Sequence, residues 1–449
     1  RVTTMGRDCA MTFNCIIMGA AGRDFHDFQT FFRRNPQFRV QAFTATQIPD
    51  IEFRSFPQSL AGPDYDSDIP IYPETQLARL IDDLDIDFVF LAYSDLSHLE
   101  VMHKASIVQA AGASFALLGP KQTQLESSKP VIAITAVRTG AGKSPLSQMI
   151  AKHLSDQGRR VGVIRHPMPY GQLERQVVER FSQPADLDRF DCTIEEREEY
   201  EPYLELGLQI FAGVDYEQIL RAAEQEADVV VWDGGNNDYS FIRSDLSIVV
   251  VDALRAGHET RYYPGETNLR AANVLVINKV GQAKPEAVTA IHHRIELANP
   301  TAVVITSDLG ITVDAPELIA GRRVLVVEDG PTLTHGGMGY GAGFLAAQQY
   351  EAEEIIDPKP AAVGSIAKMF KKYPHIKAVL PALGYSKHQC AELETTIANA
   401  APDVIIDASP ARLDRVIETT IPIARVRYRF QQLTGEPIMD VVDQALQGA

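Results

Sequence analysis

Residues 137–144 read VRTGAGKS, between the apolar run PVIAITA and the amphipathic run PLSQMIAKHLSDQG. Strand, glycine-bearing loop, Lys-Ser and helix, in that order, make a phosphate cradle. Gly140 and Gly142 let successive backbone N–H groups turn onto a β-phosphate, with Thr139 and Ala141 completing the loop. Lys143 reaches the β/γ oxygens, and the Ser144 hydroxyl ligates Mg2+ at the helix N-terminus. The first glycine of the G-x-x-x-x-G-K-S/T pattern is replaced by Val137, while Arg138 stands five residues before the lysine. RTGAGKS therefore matches the P-loop subtype in which a second basic residue precedes the glycines. Arg138 is expected to neutralise charge on the transferred phosphoryl group. A plain ion pair with a nearby carboxylate is the alternative role.

Other strand ends supply companions. ADVVVWDGGNND ends an apolar run at Asp233, suited to hold Mg2+ through water, with Gly235 able to meet a γ-phosphate. Asn236 and Asn237 follow as candidate substrate contacts. VLVINKVGQ places Asn278 and Lys279 beside the nucleotide, in the manner of an N-K-x-D guanine reader. Gly281 stands where that aspartate belongs, so the main guanine contact is gone and ATP is favoured over GTP. RRVGVIRH ends in Arg165 and His166, an anion-binding pair beyond the carboxyl end of a strand. VVEDGPTLTHGGMGYGAG (326–343) combines Glu328, Asp329 and His335 with six glycines, the composition of an active-site loop or a lid.

GAAGRDF near the start is not G-x-G-x-x-G, and no acidic residue ends the next strand, so an NAD site is not expected. EEREEYE (195–201) reads as a solvated helix face. The polar stretch RAGHETRYYPGETNLR (255–270) is placed to line nucleotide or substrate.

These residues need elements to position them. Short β-branched runs alternate with helical patterns, which implies parallel sheets with crossover helices. Three α/β blocks result. Residues 12–120 form a Rossmann-like domain whose first helix carries Phe25, Phe28, Phe31 and Phe32, with a later helix over 97–112. Residues 130–320 form a P-loop NTPase domain with a mostly parallel sheet. Its first helix puts Leu146, Met149, Ile150 and Leu154 on one face and stops at Gly158. Residues 321–449 form a smaller α/β domain carrying the glycine-rich loop.

At 449 residues the chain exceeds one ordinary core. A net charge of −17 argues against nucleic acid or an anionic membrane as partner. Four scattered cysteines lack metal-ligand spacing and suit a reducing compartment, so the expected location is the cytoplasm. The first residues read as an extension before the first strand, with Met11 a candidate start.

GAAGRDFHDF, AFTATQIP, AVRTGAGKS, VIRHPMPYG, TIEEREEYEP, WDGGNND, YYPGETNLR and EDGPTLTHGGMGYGAG together resemble a bacterial and archaeal family of predicted P-loop GTPases, grouped with cyclic 2,3-diphosphoglycerate synthetase. The resemblance implies ATP-dependent closure of 2,3-diphosphoglycerate to its cyclic anhydride, giving ADP and phosphate. Lys143, Arg138 and Mg2+ on Ser144 and Asp233 would serve the transfer. Arg165, His166 and the 329–343 loop would hold the small phosphorylated substrate. A homodimer or higher homo-oligomer is expected. The alternative is a regulatory or maturation GTPase acting through a partner protein.

Overall fold

The β-branched runs become strands and the amphipathic runs become helices packed on them. The computed structural model describes residues 12–448 except 21, 47–53, 167–172, 236–237, 335–336, 383–386 and 410–411. The N-terminal block supplies β1 (Phe13–Met18), β2 (Phe38–Ala45), β3 (Ser55–Phe56), β4 (Ile69–Pro73), β5 (Phe88–Leu91), β6 (Leu96–Ser97) and β7 (Ser114–Ala116). Its sheet runs β3-β4-β2-β1-β5-β7, parallel apart from β3. The helix Arg23–Asp27 continues as one wider π turn over Phe28–Phe32, turning Phe25, Phe28 and Phe32 into the core. Phe25 meets Phe43 edge-on with ring centroids 5.4 Å apart. The later helix is His98–Ala110, opened by a Ser97–Glu100 capping box.

The next block supplies β8 (Val131–Ala136), β9 (Val161–Arg165), β10 (Glu179–Phe181), β11 (Gln209–Ala212), β12 (Val229–Asp233), β13 (Leu246–Asp252), β14 (Tyr262–Tyr263), β15 (Val274–Asn278) and β16 (Val303–Val313). The run β9-β12-β8-β13-β15-β16 is parallel throughout. β8, β12 and β15 are buried on both faces, as strands covered by helices on either side must be. β8 lies between β12 and β13, so the chain reverses direction across the sheet there. Ligands bind beyond the carboxyl end of such a strand.

The last block supplies β17 (Arg323–Asp329), β18 (Glu354–Ile355), β19 (Leu380–Ala382), β20 (Val404–Ala408) and β21 (Ile423–Thr434). β21 pairs antiparallel with β16 from Thr306–Thr434 to Val313–Val426, so the second and third blocks share one 13-stranded sheet. The final helix, Ile438–Gln447, then returns to the second block. It buries Ile438, Val442 and Leu446 in the same core as Leu154. β14 pairs with β6 and ties the stretch after β13 to the N-terminal block.

The acidic stretch differs from the expected solvated face. Within the helix Ile194–Glu205, Tyr200 and Tyr203 are fully buried, and Glu196 and Glu201 are buried with them. Two tyrosines three residues apart make an inward stripe that outweighs the surrounding charge. No helix among the described residues is long and apolar enough to cross a membrane.

Candidate functional site

The loop after β8 is shaped from behind. Gly140 and Gly142 adopt φ of 76° and 98°, where a side chain would be strained. Three consecutive carbonyls accept from basic and amide side chains: Thr139 O from Arg255 Nη2 at 2.6 Å, Gly140 O from Lys279 Nζ at 2.6 Å, and Ala141 O from Asn278 Nδ2 at 2.9 Å. A trans peptide points each following N–H the opposite way. The amides of Gly140 and Gly142 therefore face the loop's interior. Asp252, at the end of β13, anchors two of the donors, accepting from Arg255 Nε at 2.9 Å and Lys279 Nζ at 3.0 Å. Burial alone would raise its pKa, but Lys279 and Arg255 hold it below the ordinary carboxylate range. No side chain caps the helix Lys143–Asp156 at Gly142, so its first turn offers N–H groups and a positive dipole end to an anion.

Asn278 and Lys279 thus form the outer wall of the loop. Gly281 has a steric reason to be glycine, because a side chain there would collide with Asp308. That carboxylate instead accepts from the Gly281 N–H at 3.1 Å.

Asp233 is wholly buried and fully engaged. Lys143 donates to Oδ1, and Arg165 and the Tyr203 hydroxyl donate to Oδ2. Tyr203 also reaches Ser147 Oγ at 2.8 Å. Burial opposes the charged form, but Arg165 and Lys143 outweigh it and hold the carboxyl below its usual range. Lys143, Asp233 and Arg165 are therefore brought together, with Ser144 on the adjoining first turn.

Arg138 is placed elsewhere. Its Nε donates to Asp95 Oδ1 at 2.6 Å, its Nη1 meets His258 Nδ1 at 2.6 Å, and its guanidinium stacks 3.7 Å from the Tyr262 ring centre. Burial and the cations Arg138 and Arg255 lower the pKa of His258, so a neutral ring accepts from Arg138. The ion pair named as its alternative role is the one present, and Asp95 brings it from the N-terminal block.

His166 sits between blocks, its Nε2 3.8 Å from Asp238 Oδ2. Gly22 abuts its ring so closely that any side chain would collide, and a Cβ on Gly235 would come within 3.2 Å of the His166 Cβ. Glu328 accepts from the amides of Gly341 at 3.0 Å and Phe344 at 2.9 Å, fastening the glycine-rich loop to β17. Burial pushes its pKa up to about 8. Asp329 ends the same strand, half-buried. Asn236, Asn237 and His335 lie outside the described residues. Sequence reasoning missed Asp252, although LSIVVVD carries the same apolar-run-to-aspartate signal as Asp233. It also missed Tyr203 and Asp95, which carry no such signal, whereas Arg255 opens the polar stretch 255–270 expected to line the nucleotide or substrate.

No family model matches the chain. Tetraacyldisaccharide 4'-kinase of Pseudoalteromonas translucida is 29% identical over 173 residues, 36% of this chain and 50% of the kinase. Among solved structures, LpxK of Aquifex aeolicus in complex with ATP is a distant likeness at 12% identity and a TM-score of 0.42, covering 82% of this chain and 99% of its own. Fold and site together define a nucleotide-dependent P-loop enzyme of the α/β class. The chain is 56% identical over 429 residues, 96% of both proteins, to "Arginine synthetase ArcE" of Thermococcus kodakarensis, and it belongs to that synthetase family. None of these three relatives is named a GTPase or a cyclic diphosphoglycerate synthetase.

Proposed function

We propose that this chain makes arginine from citrulline, ammonia and ATP. The observation that carries the reading is the 56% identity to an arginine synthetase over 96% of both chains. The chemistry suits a P-loop. A ureido oxygen is a poor leaving group until the γ-phosphoryl is transferred to it. Ammonia then attacks the activated carbon. A C–N bond forms, the C–O bond breaks, phosphate leaves with the electron pair, and the protons shed by the nitrogen go to solvent or phosphate.

In this reading the amides of Gly140 and Gly142 and the uncapped helix start receive the β-phosphate. Lys143 exchanges Asp233 for the β/γ oxygens, and Arg165 keeps Asp233 ionised and aimed. Arg255, Lys279 and Asn278 keep the cradle open. Arg138 positions the loop against the N-terminal block and does not touch the reacting phosphoryl. The Ser144 hydroxyl and the Asp233 carboxylate are the hard-oxygen donors that suit Mg2+. Among the described residues no group of three or more His, Cys, Asp or Glu makes a closed cage. The fitting cation is therefore one held largely by nucleotide phosphates, where its charge offsets theirs. Cyclisation of 2,3-diphosphoglycerate, implied by the wider resemblance, would share the first half-reaction. The relative's name favours arginine as the product, and in this reading the acceptor is a ureido oxygen in place of a phosphate.

The test is a stoichiometry. Supplied with ATP, ammonium and citrulline, the protein should form arginine and ADP one for one. No arginine, with cyclic product from 2,3-diphosphoglycerate instead, would overturn the proposal.

A further inference from the structure

Beside the phosphate loop lies a second buried charge cluster that nucleotide chemistry does not use. Arg23, Asp24 and Asp27 come from the first helix of the N-terminal block, and Asp238 follows Asp233 by five residues. Arg23 and Asp27 are each 3% exposed and Asp238 is 2% exposed. Arg23 Nη1 donates to Asp238 Oδ1 at 3.3 Å, and its guanidinium lies 3.6 Å from the Tyr239 ring centre, which fixes its plane. The other edge of the guanidinium, Nε and Nη2, has no hydrogen-bond partner among the described residues. Asp27 Oδ1 has none either, and Asp27 Oδ2 reaches Arg23 Nε only at 3.8 Å. Native proteins rarely leave buried donors and acceptors unmade, and a missing ligand is one standing reason.

Deepening the arginine reading, on which this step rests, we propose that the cluster binds the α-amino acid head of the substrate. The Nε–Nη2 edge of Arg23 is the planar fork that takes a carboxylate through two parallel bonds. Asp27 and Asp238 are the acceptors for its ammonium. One zwitterion satisfies both sets of orphaned groups, whereas a simple anion or a simple cation satisfies only one.

The placement leads the side chain toward the transfer site. Asp238 faces His166, the neighbour of Arg165, and Arg165 holds Asp233 against Lys143. A head group at Arg23 and Asp27 thus leaves a ureido end directed at the phosphate loop. Burial, together with Asp238 and Asp24 on Asp27 and with Asp24 on Asp238, raises both carboxyls to about 7 despite Arg23. An incoming ammonium supplies the positive charge they lack.

The test compares three ligands by calorimetry on the full chain with a non-hydrolysable ATP analogue: arginine, its decarboxylated analogue and its deaminated analogue. Arg23→Gln should weaken arginine and the deaminated analogue about tenfold or more, the worth of one charge-assisted bond, and spare the decarboxylated analogue. Asp27→Asn should do the reverse, weakening arginine and the decarboxylated analogue and sparing the deaminated one. Melting curves confirm that each variant is folded, and Arg23→Lys serves if Arg23→Gln is not. If wild type forms arginine and the variants bind all three ligands like wild type, the site is wrong and the arginine reading stands. If wild type binds a different α-amino acid with the same dependence on Arg23 and Asp27, the arginine reading falls and the site stands. Binding of no α-amino acid overturns the site.

Discussion

Two buried charge clusters sit side by side, and they are balanced differently. At Asp233 both carboxylate oxygens are taken, by Lys143 on one and by Arg165 and Tyr203 on the other, and the carboxyl is held below its usual range. At the other cluster Asp27 and Asp238 share the single guanidinium of Arg23, with Asp24 adding its negative charge nearby, and both rise to about 7. A neutralised cluster stabilises the fold as it stands and must be opened for a nucleotide. An under-neutralised one costs stability until a ligand completes it, a cost found where function is kept at the expense of stability.

Breaking the balanced cluster should have the largest effect. Lys143→Ala removes the cation that meets the phosphates, and turnover measured as ADP release should fall at least ~10³-fold. A variant with near-normal turnover would refute the P-loop reading.

Stability sharpens the contrast through its sign. Asp233→Asn leaves Lys143 and Arg165 buried without a full counter-charge and should cost about 3–5 kcal/mol at neutral pH. The stability Asp233 supplies is present above the ordinary carboxyl range and is lost as pH falls through its lowered pKa. Asp27 behaves oppositely. Its pKa is raised from 3.8 to about 7, so between those values the fold binds more protons than the unfolded chain and stability declines as pH rises. Asp27→Asn removes that decline and should stabilise the unliganded protein at pH 8 by about 1 kcal/mol or more, with no gain at pH 3. Denaturant melts at both pH values check the pair, and equal signs would erase the distinction.

A smaller effect concerns Arg138. Its bond to Asp95 crosses from the phosphate loop to the N-terminal block, so the two residues should act as one. A double-mutant cycle on kcat/KM with Arg138→Ala and Asp95→Ala should give a coupling of about 1–2 kcal/mol. A loss confined to Arg138→Ala would restore a direct role on the phosphoryl group.

The phosphate loop was legible because its chemistry is local: glycines, lysine and serine stand within one turn of chain between a strand and a helix. Asp233 was legible for a similar reason, closing an apolar run. What surrounds them was not. Asp95 meets Arg138 from 43 residues away, and Tyr203 meets Asp233 from inside an acid-rich stretch whose average polarity pointed outward. The union of β16 with β21 was equally hidden, since a strand's own residues give its faces but not its neighbour. Arg23 and Asp27 stood in a loop judged only against the dinucleotide pattern. Its failure to match that pattern obscured the charged residues that follow its last glycine.

The most direct measurement of the account follows the ureido oxygen. Citrulline carrying heavy oxygen in its ureido group should pass that atom to the inorganic phosphate released with each arginine formed. Phosphate free of the label, with arginine still produced, would contradict activation by phosphoryl transfer at this loop.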